Sequence, residues 1–103
     1  MLKEEKRFIV NISLVEYKKL IINGNYFEAH EVLEDEWHKI RKTNNDLKWA
    51  LKGLINAAVA MELKRRKRDG YSLVWKNFEK YEKYYNLDEN IKETAEFVKK
   101  YKP

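Results

Sequence analysis

Trp49-Ala50-Leu51-Lys52-Gly53-Leu54-Ile55-Asn56-Ala57-Ala58-Val59-Ala60-Met61-Glu62-Leu63 is nearly free of charge in a chain whose residues are 38% charged. A helix that is apolar almost all round must be enclosed by its neighbours, so this segment predicts a central helix with the rest of the chain wrapped around it. Lys52, Asn56 and Glu62 interrupt the run. A bilayer crossing needs about 20 predominantly apolar residues, which makes the segment a buried helix and not a membrane span. Gly53, Ala57 and Ala60 fall on one side of it. Glycine inside a helix costs about 1 kcal/mol against alanine, so Gly53 predicts a close backbone approach by another helix.

Working outward from that core, the segment Asn25-Tyr26-Phe27-Glu28-Ala29-His30-Glu31-Val32-Leu33-Glu34-Asp35-Glu36-Trp37 predicts an amphipathic helix over 26–41. Tyr26, Ala29, Leu33, Trp37 and Ile40 recur at helical spacing and form its core stripe. Asn25 is placed to cap it, with Glu28 three residues on. Gly24 is a left-handed stop for the helix before, so the two helices pack antiparallel. That earlier helix is read from Ser13-Leu14-Val15-Glu16, a capping-box pattern, with Leu14, Tyr17, Leu20 and Ile21 on one face. Residues 1–12 are ambiguous, and Phe8-Ile9-Val10 reads as an extended arm over the core.

Beyond the central helix, set at about 47–68, Asp69-Gly70 marks a turn. Tyr71, Val74, Trp75, Phe78, Tyr81 and Tyr85 line one face of a fourth helix. Asn86-Leu87-Asp88 forms a turn and cap, and a last helix uses Ile91, Ala95, Phe97, Val98 and Tyr101. The expectation is one all-α domain over residues 1–103, a bundle of about five helices around a buried central helix.

Composition bounds the chemistry. The absence of cysteine excludes disulfides and thiolate metal sites. The amino terminus shows no apolar run of a signal peptide, and a cytoplasmic protein is expected. The net charge of +5 has a local origin: Lys64, Arg65, Arg66, Lys67 and Arg68 are consecutive, and without them 22 basic residues fall to 17, matching the 17 acids. Cations at a helix carboxyl end complement its dipole by about 0.3–1 kcal/mol each. Five exceed that role, which leaves two readings open: a solvated, dipole-matched helix end, and a phosphate-binding patch for nucleic acid. No aromatic–basic interleaving accompanies it.

The second candidate site is the polar flank of the 26–41 helix. His30-Glu31-Val32-Leu33-Glu34 departs from the zinc motif H-E-x-x-H in its fifth residue. His38 lies about 12 Å along the axis and some 80° around from His30, so the two rings cannot share one ion. Neither a metal nor another cofactor is expected. One reading has Glu28 as a cap, Glu31 and Glu34 as solvated flank, and His30 bonded to Glu34 one turn on. The other starts from Asn56, because an unsatisfied buried amide costs about 1–3 kcal/mol. It gathers Glu28, His30, Glu31, Glu34, Trp37 and Asn56 into a polar cluster, with His30, Glu34 and Asn56 at its centre.

These segments resemble a known family. Asn23-Gly24-Asn25-Tyr26-Phe27-Glu28-Ala29-His30-Glu31-Val32-Leu33-Glu34 with Trp37, and Leu51-Lys52-Gly53-Leu54-Ile55-Asn56 followed by Ala57-Ala58-Val59-Ala60, are similar to the motifs of the "domain of unknown function 309" family over residues 20–88. The resemblance implies a small, all-helical, cytoplasmic prokaryotic protein with no accepted catalytic residues. It marks Glu28, His30, Glu31, Glu34, Trp37 and Gly53 as signature positions. Asn56 stands where the family usually has Gln, and Leu63 where many members carry a second histidine.

The function expected from all this is a non-catalytic binding or interaction module. It would use the cluster at His30 and form a homo-oligomer through exposed aromatics among Trp49, Trp75, Tyr84 and Tyr85. Two alternatives are a hydrolase, metal-assisted or carboxylate-based, using His30, Glu31 and Glu34, and a weak nucleic-acid binder acting through the basic run. No membrane partner is expected.

Overall fold

The computed structural model describes residues 2–103, with side chains from Asn11 onward. Five α-helices follow one another: α1 (Leu2–Ile22), α2 (Tyr26–Ile40), α3 (Leu47–Arg65), α4 (Tyr71–Lys80) and α5 (Glu89–Lys99). A 3₁₀ segment, Glu82–Leu87, joins α4 to α5, and no strand occurs among the described residues. The all-α bundle expected from the sequence is the observed fold, and it measures 44 × 25 × 22 Å.

The central position of α3 follows from its composition. Ala50, Leu51, Leu54, Ala57, Ala58 and Ala60 are wholly buried, and at about 100° per residue they cover about half of the helix circumference, with Lys52, Asn56, Val59 and Leu63 half-buried on the remaining side. Accordingly α3 packs on α2 along one flank and on α4 along another, and it also touches the 3₁₀ segment and α5. Helix α1 rests on α2 and α5. It reaches α3 through Tyr17, a fully buried side chain whose hydroxyl donates to the Leu54 carbonyl at 2.7 Å.

The helix ends show how local sequence fixes the turns. Gly24 has φ +77°; its N–H donates to Ile21 O at 3.0 Å, and the Asn25 N–H donates to Leu20 O at 2.8 Å. This pair of bonds is the left-handed Schellman stop. Helix α3 ends in the same way, except that the left-handed residue is Lys67 at φ +57°. Its N–H donates to Lys64 O (2.9 Å) and the Arg68 N–H to Leu63 O (2.8 Å). Asp88 caps α5 by accepting from the N–H groups of Asn90 and Ile91. The polar 41–46 connection closes with Asn45, whose Oδ1 accepts from the Leu47 N–H at 3.0 Å.

Several expectations need correction. The backbone at residues 8–10 is helical, so there is no extended arm; the contacts of those side chains lie outside the described residues. The stretch from Leu2 to Ser13 contains neither Gly nor Pro and is rich in Lys and Glu, good helix formers, and α1 runs through it. Ser13 is therefore inside a helix and caps nothing. Its hydroxyl donates to Glu36 Oε1 on α2 at 3.2 Å. Asn25 occupies the N-cap position of α2 without a side-chain capping bond.

The central helix stops at Arg65 and not at 68. Helix α4 stops at Lys80, which places Tyr85 in the 3₁₀ segment. The group packed over Gly53 is consequently the Tyr85 side chain and not the backbone of another helix.

Candidate functional site

No hydrogen bond among the described residues gathers His30, Glu34 and Asn56 into one cluster. Arg66 lies over the Phe27 ring at 5.7 Å and Lys52 over the Trp37 ring at 4.3 Å. Helices α2 and α3 therefore run antiparallel, with His30 level with about Leu63 and Asn56 level with about Glu34. The imidazole of His30 bonds through Nδ1 to the Phe27 carbonyl, so Nδ1 carries the proton. Its Nε2 faces Glu34 Oε2 at 3.8 Å, and His38 Nε2 faces the other oxygen of the same carboxylate at 3.8 Å. Glu34 is thus bracketed by two imidazoles on the outer face of α2, at the i±4 positions.

Asn56 bonds elsewhere. Its amide donates to Lys52 O at 2.8 Å on its own helix, and its carbonyl oxygen accepts from Asn77 of α4 at 3.3 Å. No hydrogen bond among the described residues joins it to His30 or Glu34. The amide is half-buried and not fully enclosed, and it finds its partners on its own helix and on α4. Glu28 and Glu31 are exposed on α2. Among the described residues no three His, Asp or Glu side chains converge as a metal-binding group.

Two carboxylates unremarked in that cluster are the buried ones. Glu36 accepts from Ser13 and from Lys39 Nζ, the latter at 3.2 Å. Glu62 accepts from Arg65 through Nε at 2.9 Å and Nη2 at 2.8 Å, and also from Arg66 Nε. The hydrogen bonds from Arg65, then those from Arg66 together with both positive charges, hold the Glu62 carboxyl below the usual range, against the upward push of burial. The basic run is accordingly not a uniform patch. Arg65 and Arg66 neutralise Glu62, Lys64 sits over the Tyr71 ring at 5.4 Å, and Lys67 and Arg68 lie beyond the end of the helix.

The densest grouping of rings and cations lies around the opposite end of α3. Trp49 stacks on Tyr81 with centroids 5.8 Å apart and planes at 17°. Tyr84 completes the triangle at 6.4 Å from Trp49 and 6.2 Å from Tyr81. Lys48 lies over Trp49 at 5.2 Å, Lys80 over Tyr81 at 5.3 Å and Lys83 over Tyr84 at 5.2 Å. Lys52, one turn from Trp49, covers Trp37, whose ring also has Arg41 at 5.7 Å. All four rings are partly exposed. Such contacts at exposed sites are worth about 0.5–1 kcal/mol each.

None of these five cations makes an ion pair among the described residues, although Lys48 also donates to Thr43 O at 2.6 Å. Of the acids in the same segments, Glu36 pairs with Lys39, Glu79 with Lys102 and Glu82 with Lys99, while the exposed Asp46 makes no ion pair among the described residues. The face therefore carries a net positive charge, five cations against the unpaired acid Asp46, over a partly exposed aromatic floor. A sequence signal for it existed in three adjacent Lys–aromatic pairs, 48–49, 80–81 and 83–84. Of the expected interface aromatics, Trp49 and Tyr84 belong to this face, whereas Trp75 and Tyr85 are core residues.

Two concavities lie elsewhere. One, over Trp75 and Phe78, is bridged by the Lys99–Glu82 pair, and the other lies beside Arg65 and Tyr101. Neither is lined by His30. Among the described residues, no helix is long and apolar enough to cross a membrane.

No curated protein matches the chain, and no solved structure does. A family model does match, over residues 14–73, a span from the middle of α1 to the start of α4 that holds both sequence motifs and the whole of the α2–α3 hairpin. The chain belongs to the family described as "Domain of unknown function (DUF309)".

Proposed function

We propose that the protein is a non-catalytic binding module for polyanionic partners, and that its recognition surface is the aromatic–cationic face of Trp37, Trp49, Tyr81 and Tyr84. The observation that carries this reading is the set of five cations, Arg41, Lys48, Lys52, Lys80 and Lys83, held over ring faces with no carboxylate neutralising them. Clustered charge of one sign raises the local concentration of oppositely charged ligands and speeds their encounter. Trp37 links this face to the outer side of α2, where it touches His38 with ring centroids 5.2 Å apart. The polar strip His30–Glu34–His38 thus becomes the border of the surface and not its centre.

The test is thermal stabilisation by inorganic polyphosphate, because a ligand that binds only the folded state raises the melting temperature. The wild type is expected to shift upward, and Arg41→Glu/Lys83→Glu, two exposed positions, to lose the shift while melting normally without ligand. An unshifted wild type, or an equal shift in the variant, removes the reading.

A further inference from the structure

We infer that the strand carried on this face is single-stranded nucleic acid, with bases on the rings and phosphates on the surrounding cations. The inference rests on the polyanion reading above and names the partner. A surface made only for phosphate needs cations alone. Here each cation is laid over an aromatic ring, and two of the rings, Trp49 and Tyr81, are already parallel at 5.8 Å. Flat rings beside flexible amines form the stacking platform and electrostatic track that sequence-tolerant single-strand binders use.

The free protein fills the ring faces with its own lysines, Lys52 on Trp37 at 4.3 Å being the closest. Stacking a base on an aromatic ring is the stronger contact. A base therefore displaces the ammonium group, which swings on its flexible stem to a phosphate and finds a charge partner there. A duplex hides its bases within the stack and cannot make that exchange, so the face discriminates single from double strands. The run 64–68 is not part of the surface: it lies at the other end of α3, about 24 Å along the axis from Trp49, and Arg65 and Arg66 are committed to Glu62.

The experiment titrates the full chain with oligo-U and oligo-dT of about 12 nucleotides at ~50 mM salt, following tryptophan emission. Trp37 and Trp49 report, while Trp75 is buried and gives a constant background. The expected results are quenching on binding and affinity at least about tenfold above that for a duplex of equal length, with Trp37→Ala and Trp49→Ala each weakening binding about tenfold.

Because either aromatic substitution can disturb packing, the exposed double variant Lys80→Gln/Lys83→Gln provides a second reading. It is expected to reduce the slope of log affinity against log salt by about 1.4, at roughly 0.7 for each phosphate no longer neutralised. Lys67→Gln/Arg68→Gln is expected to bind as the wild type does. If oligonucleotides bind no tighter than polyphosphate, or duplex binds as well as single strand, the partner is wrong while the polyanion reading stands. If neither oligonucleotides nor polyphosphate binds, both fall. Loss of binding in the Lys67/Arg68 variant, with none in Lys80/Lys83, overturns the assignment to this face.

Discussion

The Tyr85 side chain occupies the space that any side chain at Gly53 would need: a Cβ built on Gly53 would lie 2.8 Å from Tyr85 Cζ and closer still to its hydroxyl. That hydroxyl donates to the Phe78 carbonyl at 2.6 Å, one of the carbonyls left without an intrahelical partner at the end of α4. Gly53 therefore does more than permit close packing. It admits the tyrosine that terminates α4 and fastens the 3₁₀ segment to the central helix.

Gly53→Ala should consequently destabilise the protein although alanine is the better helix former. The helix gains about 0.5–1 kcal/mol, whereas overpacking against a buried ring costs about 1–3 kcal/mol or more. Tyr85→Phe alone should cost about 1 kcal/mol for the missing hydrogen bond. Because one substitution relieves part of the other's crowding, the double variant should lose less than the two single losses combined. Urea melts of all four proteins measure this, and strict additivity would show that the Gly53–Tyr85 contact does not determine the packing.

Lys67 offers a gain in place of a loss. It stands at φ +57° in the Schellman turn that ends α3, where its counterpart after α1 is Gly24. A non-glycine residue in that conformation costs about 1–2 kcal/mol. The exposed Lys67 side chain makes no ion pair among the described residues to offset that cost. Lys67→Gly should raise stability by about 1 kcal/mol, less the greater freedom of glycine in the unfolded chain. A melting temperature that fails to rise would contradict this account of the turn.

What the sequence disclosed, and what it hid, divides by distance along the chain. The enclosed character of α3, the Gly24 stop and the Asp88 cap are written within a few residues each, and they were legible. The Ser13-x-x-Glu16 pattern misled because a capping box and two polar residues inside a longer helix look alike without the preceding turn. Asn56 announced that it needed a partner but could not say on which flank. The periodicity of α3 is weak when nearly every side is apolar, so the rotation that aims Asn56 at Asn77 was invisible. Trp37, Trp49, Tyr81 and Tyr84 come from three separate segments, and only the packing of α2, α3 and the end of α4 makes them one surface.

The bracketed Glu34 tests whether the polar strip on α2 matters for folding. Each imidazole stands 3.8 Å from a carboxylate that is nearly half exposed, and i,i+4 pairs of this kind are worth about 0.3–0.5 kcal/mol. Glu34→Gln should therefore change stability by no more than about 1 kcal/mol, the sum of the two pairs. Glu62→Gln should cost more, about 1–2 kcal/mol, because it weakens charge-assisted hydrogen bonds from two arginines to a buried group. The half-exposed arginines recover part of that by hydration. A larger loss at Glu34 than at Glu62 in chemical denaturation would reverse this ranking of the two sites.

The pH dependence should have two limits of opposite sign. The Glu62 carboxyl is held below its ordinary value by Arg65 and Arg66. Between the folded value and the unfolded one, about 4.3, the unfolded chain binds more protons. The stability that Glu62 supplies at neutral pH is lost as the pH falls through that window. Tyr17 and Tyr85 lie at the other end. Burial raises both phenols above their usual range, with Tyr17, Glu82 and Tyr81 adding to the effect at Tyr85. Below about pH 10, the ordinary tyrosine value, their contribution is constant. Above it the unfolded chain releases protons that the folded one keeps, and stability falls by up to about 1.4 kcal/mol per pH unit for each of the two rings. Denaturant midpoints measured from pH 3 to 11 should form a plateau falling at both ends. In the alkaline arm the slope should roughly halve in Tyr17→Phe, which also removes the hydroxyl bonded to Leu54. An alkaline slope unchanged by that substitution would mean that the Tyr17 phenol ionises as readily folded as unfolded.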